Sequence, residues 1–132
     1  MRSLVLFLVG LAVGAMCTLI AVNALDRGTS HHDAVMALMG QQMKSIDQSI
    51  KASRCASTDL TPRLQTLRFV ANDIEPAFPD LQAVEQFGRY AAGLRRAADA
   101  ALMTPPANCA AAAAALTSLD KACDSCHRDF KG

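Results

Sequence analysis

Four consecutive segments of this chain repeat their apolar residues at intervals of three and four. Such spacing places the apolar side chains on one face of an α-helix, so each segment is predicted to be an amphipathic helix. In chain order the repeating positions are Met36, Met39, Met43, Ile46 and Ile50; Leu60, Leu64, Leu67, Ala71 and Ile74; Val84, Phe87, Ala91, Leu94 and Ala98; and Ala112, Leu116, Leu119, Cys123 and Cys126. Short connections that contain proline or polar residues join the segments. The predicted fold is therefore all-α, an antiparallel up-down-up-down four-helix bundle.

Prolines and a candidate cap set the predicted boundaries of these helices. The first helix is expected at about residues 31–53. The second is expected to end at Pro76 and Pro79, because proline does not continue a helix from its interior. The third is expected to begin with Asp80 as its N-cap and to stop before Pro105.

The first 29 residues are predicted to be a separate export segment. After Arg2 no charged residue occurs over positions 3–25, a stretch about long enough to span a bilayer. Two interpretations stay open: a signal peptide cleaved after Ala24, or a retained anchor through residues 4–25. Both deliver the domain at 30–132 outside the cytoplasm, either soluble in the periplasm or tethered to the inner membrane.

The segment "KACDSCHRDF" carries the most specific chemical signal. Cys123, Cys126 and His127 have the C-x-x-C-H spacing of a covalently attached c-type haem, in which the thiols add to the haem vinyl groups and the histidine binds iron. Residues three and four apart share a face of a helix, so one side of the fourth helix can present all three. We expect one haem c with its iron, held by these residues.

The motif has two alternative chemistries, and the domain has one alternative fold. A thioredoxin-like redox pair would need a preceding strand and a βαβ context, which the sequence lacks. A structural zinc site would need partners such as Cys55, Cys109 or His31, which occur singly. A small globular c-type cytochrome is the alternative fold, but such domains usually carry the haem motif near their start.

Composition excludes several other functions. Basic and acidic residues nearly balance, 13 against 12, and no basic block suggests nucleic acid. Neither a Gly-rich phosphate loop nor a Ser, His and acid arrangement is present, so the chain is not predicted to be an enzyme. Arg95 and Arg96 are expected to lie on a solvated helix face.

A bundle with C-x-x-C-H on its last helix resembles the class II cytochromes c, the cytochrome c prime family. The resemblance covers about residues 31–130 and includes the first-helix segment "HHDAVMALMGQQM". His32 and Asp33 stand where family members often have Arg and Gln, and Met36 falls at the iron-facing position with Gly40 one turn later. Lys131 stands where gas-binding members tend to carry arginine.

The resemblance implies a function that depends on Met36. A methionine at this position is typical of the low-spin members that transfer electrons through His/Met-ligated iron, here between redox proteins of the periplasm or inner membrane. Met39 and His32 lie one turn to either side and remain alternative ligands. If none of them binds iron, the expected function is five-coordinate binding of a gas such as nitric oxide. The resemblance also permits a homodimer through the first two helices.

The two cysteines outside the motif are predicted to pair. If Met36 and His127 bind one iron, they lie at the same level along the bundle axis. Cys55 lies 19 residues after Met36 and Cys109 lies 18 residues before His127, which are climbs of roughly 28 and 27 Å in the same direction. An oxidising compartment would then favour a Cys55–Cys109 disulfide; two separate thiols are the alternative.

Overall fold

The computed structural model describes residues 2–26 and 30–130. The secondary structure in these ranges is entirely helical, without a β-strand. The all-α class predicted from the sequence is therefore confirmed. The chain divides into two compact units, Met1–Ser30 and His31–Gly132, which are described separately.

The first unit is one apolar helix, α1 (Arg2–Asp26). Its side chains between Leu6 and Asn23 are exposed, and this window is long and apolar enough to cross a membrane. Length and composition are thus those of a signal sequence or an anchor, the two interpretations that the sequence left open.

The second unit contains the remaining helices. They are α2 (His31–Lys51), α3 (Ser57–Val70), the short α4 (Ile74–Ala77), a 3₁₀ turn at Pro79–Leu81, α5 (Glu85–Met103) and α6 (Cys109–Phe130). Helix α2 packs against α3 and α6, and α5 packs against the same two helices. The four long helices therefore form a closed ring of pairwise contacts, and α4 packs against α2 and α5.

The predicted apolar stripes supply most of the core inside this ring. All five stripe residues of the second segment are buried, together with Phe87, Ala91, Leu94, Ala98, Ala112, Leu119, Met39 and Ile46. Met36 and Met43 are partly buried against the same core. Val84 is the exception, because it precedes the first turn of α5 and is 37% exposed.

The first helix, expected at about residues 31–53, begins at His31 as predicted and ends two residues earlier than expected. Ser53 has a φ of 57°, in the left-handed region. The Arg54 amide donates to the Ser49 carbonyl at 2.8 Å and the Ser53 amide donates to the Ile50 carbonyl at 2.9 Å. This pair of bonds is the Schellman motif, which closes a helix at the preceding residues. Helix α2 therefore ends at Lys51, and the chain turns directly into Cys55.

The second predicted helix divides in two instead of running to Pro76. Helix α3 ends at Val70, and the amides of Asn72 and Asp73 donate to carbonyls three residues back. A proline inside a helix loses one backbone bond, and its ring clashes with the carbonyl four residues earlier. For Pro76 that carbonyl belongs to Asn72, so the helix breaks there and a separate α4 follows.

Asp80 is not the N-cap of the third helix. It lies in the 3₁₀ turn at Pro79–Leu81, and α5 begins only at Glu85 with Val84 in the cap position. Pro79 at the first position of that turn has the φ angle such a turn requires. The amides of Leu81 and Val84 each donate to a carbonyl three residues back, so the tight turn continues to the start of α5.

Cys55 and Cys109 meet at the end of the unit where α2 leads into α3. Their sulfur atoms lie 1.96 Å apart, at disulfide distance, and their Cα atoms lie 5.1 Å apart. Cys55 is buried in the turn after α2, and Cys109 is the first residue of α6. The Asn108 side chain caps that helix by accepting a hydrogen bond from the Ala111 amide at 2.9 Å.

Candidate functional site

A cavity of about 240 Å³ lies between α2, α4, α5 and α6. Its lining includes the four residues predicted to hold the haem: Met36 on α2, and Cys123, Cys126 and His127 on α6. The cavity therefore brings together residues about 90 positions apart in the sequence.

The α6 wall carries the attachment motif. Cys123 and Cys126 are partly buried and unpaired, and His127 is exposed at the rim. Their i, i+3 and i+4 spacing directs all three toward the cavity, as the helical pattern predicts. Two thiols and one imidazole thus share one face of one helix.

The α2 wall presents three methionine side chains and a glycine. Met36, Met39 and Met43 line the cavity along one face of the helix. Gly40 lies among them, and a methyl group added there would meet no atom within 4 Å. Gly40 therefore adds no side chain to this wall, and the surface of α2 is open at that position.

The three candidates for a sixth iron ligand are separated by this geometry. Met36 and Met39 line the cavity, whereas His32 lies outside its lining and packs its ring 5.3 Å from the ring of Phe78. Met39 is 5% exposed and belongs to the hydrophobic core, while Met36 is only partly buried. A side chain on the cavity surface reaches a bound group more readily than one fixed in the core, so the geometry favours Met36.

Apolar side chains from α4 and α5 complete the walls. Ile74, Ala91 and Leu94 line the cavity, and Tyr90 adds a polar tip. The Tyr90 hydroxyl donates to the Asp129 carboxylate near the end of α6, and its ring meets Phe130 edge-on at 6.2 Å. Tyr90 thereby connects α5 to the last turn of the helix that carries His127.

The electrostatics of the cysteine pair oppose a thioredoxin-like role. Burial, together with the negative charges of Asp120 and Asp124, raises the pKa of Cys123 to about 11. Burial likewise raises the pKa of Cys126, with a further contribution from Asp129. Reactive C-x-x-C thiols have a lowered pKa, because the thiolate is the nucleophile. This cavity therefore keeps both sulfurs as neutral thiols.

The zinc alternative finds no support in the side-chain arrangement. Within residues 2–26 and 30–130, no group of three or more His, Cys, Asp or Glu side chains is placed to hold a metal ion. Cys55 and Cys109, two of the partners that the sequence offered for zinc, lie against each other instead. Structural zinc needs about four such ligands, and the described part of the chain does not assemble them around the motif cysteines.

The donor set of the cavity does fit a c-type haem. That group requires two thiols for its vinyl carbons, a histidine for its iron and apolar surface for the porphyrin. Cys123, Cys126 and His127 supply the donors on one wall, and the thioethers of Met36 and Met39 face the same space. The remaining walls are largely apolar.

Sequence reasoning missed two residues of this site, Asp120 and Tyr90. Asp120 lines the cavity three residues before Cys123, so the helical periodicity that grouped the motif could also have included it. Tyr90 lies one position before Ala91 of the α5 stripe, and its pairing with Asp129 depends on tertiary packing that no local pattern reveals.

Comparisons with known proteins add no assignment: no family model, no curated protein and no solved structure matches this chain.

Proposed function

We propose that this chain is a c-type cytochrome that binds one covalent haem and transfers electrons. The observation that carries the proposal is the convergence of Cys123, Cys126 and His127 with Met36 on a single, mostly apolar cavity. A haem-attachment motif on an exposed helix face without a cavity would have argued against it.

The helix packing supports the same proposal. Each of α2, α3, α5 and α6 contacts two of the other three, and short connections join successive elements. An antiparallel four-helix bundle, the architecture expected for a class II cytochrome c, accounts for this ring of contacts. In such a bundle a cofactor is held by side chains of facing helices, and side chains of both α2 and α6 line the cavity.

Each residue has a distinct role in this proposal. The Cys123 and Cys126 thiols form thioether bonds that fix the haem to α6, and the His127 imidazole binds the iron. The Met36 thioether binds from α2, and a methionine opposite histidine raises the reduction potential. When bound, haem iron cycles between ferric and ferrous states. Ile74, Ala91 and Leu94 supply apolar surface for the porphyrin.

Two features support placement outside the cytoplasm. Helix α1 has the length and composition of an export signal or anchor, and the Cys55 and Cys109 sulfurs lie at disulfide distance, which suits an oxidising compartment. We therefore propose a periplasmic protein, soluble or tethered to the inner membrane, whose partners are redox proteins of those locations.

A gas-binding function is the second candidate, and the observation that favours it is Gly40, which lines the α2 wall of the cavity without a side chain. If Met36 leaves the iron, a diatomic ligand would find room on the α2 side of the cavity. In that case the protein would resemble the five-coordinate members of the same family.

Absorption spectra of protein matured in the periplasm test the proposal. We expect low-spin haem bands in both oxidation states and no reaction of the reduced protein with carbon monoxide. High-spin bands with rapid carbon monoxide binding would favour the gas-binding candidate. Protein that is folded and free of haem would contradict both.

A further inference from the structure

One acidic side chain of the cavity has no role in haem attachment. Asp120 on α6 lines the cavity one turn before Cys123, and it is the only carboxylate among the described residues of that lining. The other lining residues that titrate are Tyr90, Cys123, Cys126 and His127. Attachment would consume both thiols, and iron would occupy the imidazole of His127. The Tyr90 hydroxyl donates to Asp129.

The charges that face Asp120 are negative. Asp124 lies one turn further along α6, and Asp47 faces it from α2 while forming an ion pair with Lys51 at 2.6 Å. Among the described lining residues from α5, Tyr90 is the only one with an ionisable side chain. Asp120 is exposed to solvent on one side, and partial desolvation first, then repulsion from Asp124 and Asp47, raises the pKa of its carboxyl above its ordinary value.

We propose that Asp120 is a redox-linked proton site, which binds a proton when the haem iron in the same cavity is reduced. This inference rests on the proposed function. The donor protein supplies one electron and the solvent supplies one proton. Ferric iron becomes ferrous, the Asp120 carboxylate becomes a carboxylic acid, and the net charge of the cavity stays constant. Reoxidation returns the electron to an acceptor protein and the proton to solvent.

Coulomb interaction supplies the coupling. Ferric iron carries one more positive charge than ferrous iron and stabilises a nearby carboxylate. Reduction removes that charge while Asp47 and Asp124 continue to repel the carboxylate. The apolar walls reduce the screening on the cavity side of Asp120, and solvent screens its exposed side. Proton affinity at Asp120 therefore rises when the iron is reduced, and by linkage the reduction potential rises when Asp120 is protonated.

The test is the midpoint potential of the holoprotein as a function of pH. In the wild type the potential is expected to fall as pH rises through the ionisation of Asp120, by at most about 59 mV for each tenfold change in proton concentration. Asp120→Asn is expected to lose at least half of this fall and to have a higher potential than the wild type at pH 8. Asp120→Asn should also take up fewer protons per electron than the wild type when both are reduced in a weakly buffered solution that contains a pH indicator.

Two further variants serve as controls. Asp59→Asn removes the same charge from the first turn of α3, outside the cavity lining, and should keep the wild-type pH dependence. Asp124→Asn removes one repelling charge, so the fall should move to lower pH.

The proton-site proposal and the cytochrome proposal on which it rests can be refuted separately. A haem spectrum together with an unchanged pH dependence in Asp120→Asn would overturn the role of Asp120 and leave the cytochrome proposal intact. Folded protein without covalent haem would overturn both. A loss of pH dependence in Asp59→Asn equal to that in Asp120→Asn would also count against a specific site at Asp120.

Discussion

Arg95 of α5 holds Glu75 of α4 in a two-pronged ion pair. Nη1 and Nη2 of the guanidinium each donate to one carboxylate oxygen at 2.7 Å, and Nη1 also donates to the Ala71 carbonyl at 3.1 Å. The expectation that Arg95 lies on a solvated face was therefore wrong. Ile74, which precedes Glu75, lines the cavity, so this ion pair fixes the segment between α3 and α5 that forms one of the cavity walls.

This ion pair is predicted to stabilise the fold measurably. The side chains of Arg95 and Glu75 are 22% and 27% exposed, so solvent screens them only in part. Truncating one partner should cost about 1–3 kcal/mol of unfolding free energy, because the other partner loses its hydrogen bonds. A double-mutant cycle with Arg95→Met and Glu75→Gln, read by urea unfolding, measures the coupling.

The matched control is the pair Asp47 and Lys51 of α2, at 2.6 Å but 39% and 74% exposed. Exposed helix pairs of this spacing are worth about 0.3–0.5 kcal/mol. Equal coupling energies for the two pairs would contradict a structural role for Arg95.

The same ion pair predicts a pH dependence of stability. The hydrogen bonds from Arg95 hold the pKa of Glu75 below its ordinary value of 4.5. A carboxyl with a lowered folded-state pKa contributes stability above its unfolded pKa and loses it as pH falls through the folded pKa. The difference in unfolding free energy between wild type and Glu75→Gln should thus be full at pH 7 and shrink below pH 4.5. A difference that grows on acidification would show the opposite sign and refute the assignment.

Met36 is predicted to be the sixth iron ligand. Met36→Leu keeps side-chain volume but removes the thioether, so the low-spin spectrum should become high-spin and the reduced protein should bind carbon monoxide. Met39→Leu is the matched control, with the same chemistry one turn along α2, and should keep the wild-type spectrum. The reverse result would assign the iron to Met39. Unchanged spectra in both variants would indicate His32 as the sixth iron ligand.

The Cys55 and Cys109 pair is predicted to be a stabilising disulfide. The two residues are 54 positions apart, and closing a loop of this length constrains the unfolded chain by about 4 kcal/mol in the entropy model. The double variant Cys55→Ala with Cys109→Ala should therefore unfold at lower urea concentration. Its haem spectrum should not change, because neither residue lines the cavity. Peptide mapping without reduction that finds two separately alkylated thiols would end this assignment.

The sequence predicted the parts of the structure that local patterns govern. Helical periodicity identified the core residue Leu67, and the 3.6-residue period placed Cys123, Cys126 and His127 on one face. The proximity of Cys55 and Cys109 followed from counting residues along helices assumed to be antiparallel, whereas Met36 was placed in the site by the resemblance to class II cytochromes c.

The remaining features depend on tertiary contacts or on competition between turns. Pro76 predicted a helix end, but its steric effect moved that end to Val70. The left-handed conformation of Ser53 was unexpected, because glycine is the usual residue at that position. The ion pair between Arg95 and Glu75 could not be inferred from the sequence. It depends on the break between α3 and α4, which determines where Glu75 lies relative to α5.

Covalent haem on Cys123 and Cys126 is the central claim, and intact mass under denaturing conditions tests it most directly. Protein matured in the periplasm and treated with acidified organic solvent is expected to keep the added mass of one haem, because thioether bonds survive this treatment. The variant Cys123→Ala with Cys126→Ala should have only the mass of its polypeptide. Wild-type protein that is folded before treatment and has only polypeptide mass afterwards, with the haem in the solvent or absent, would contradict the account.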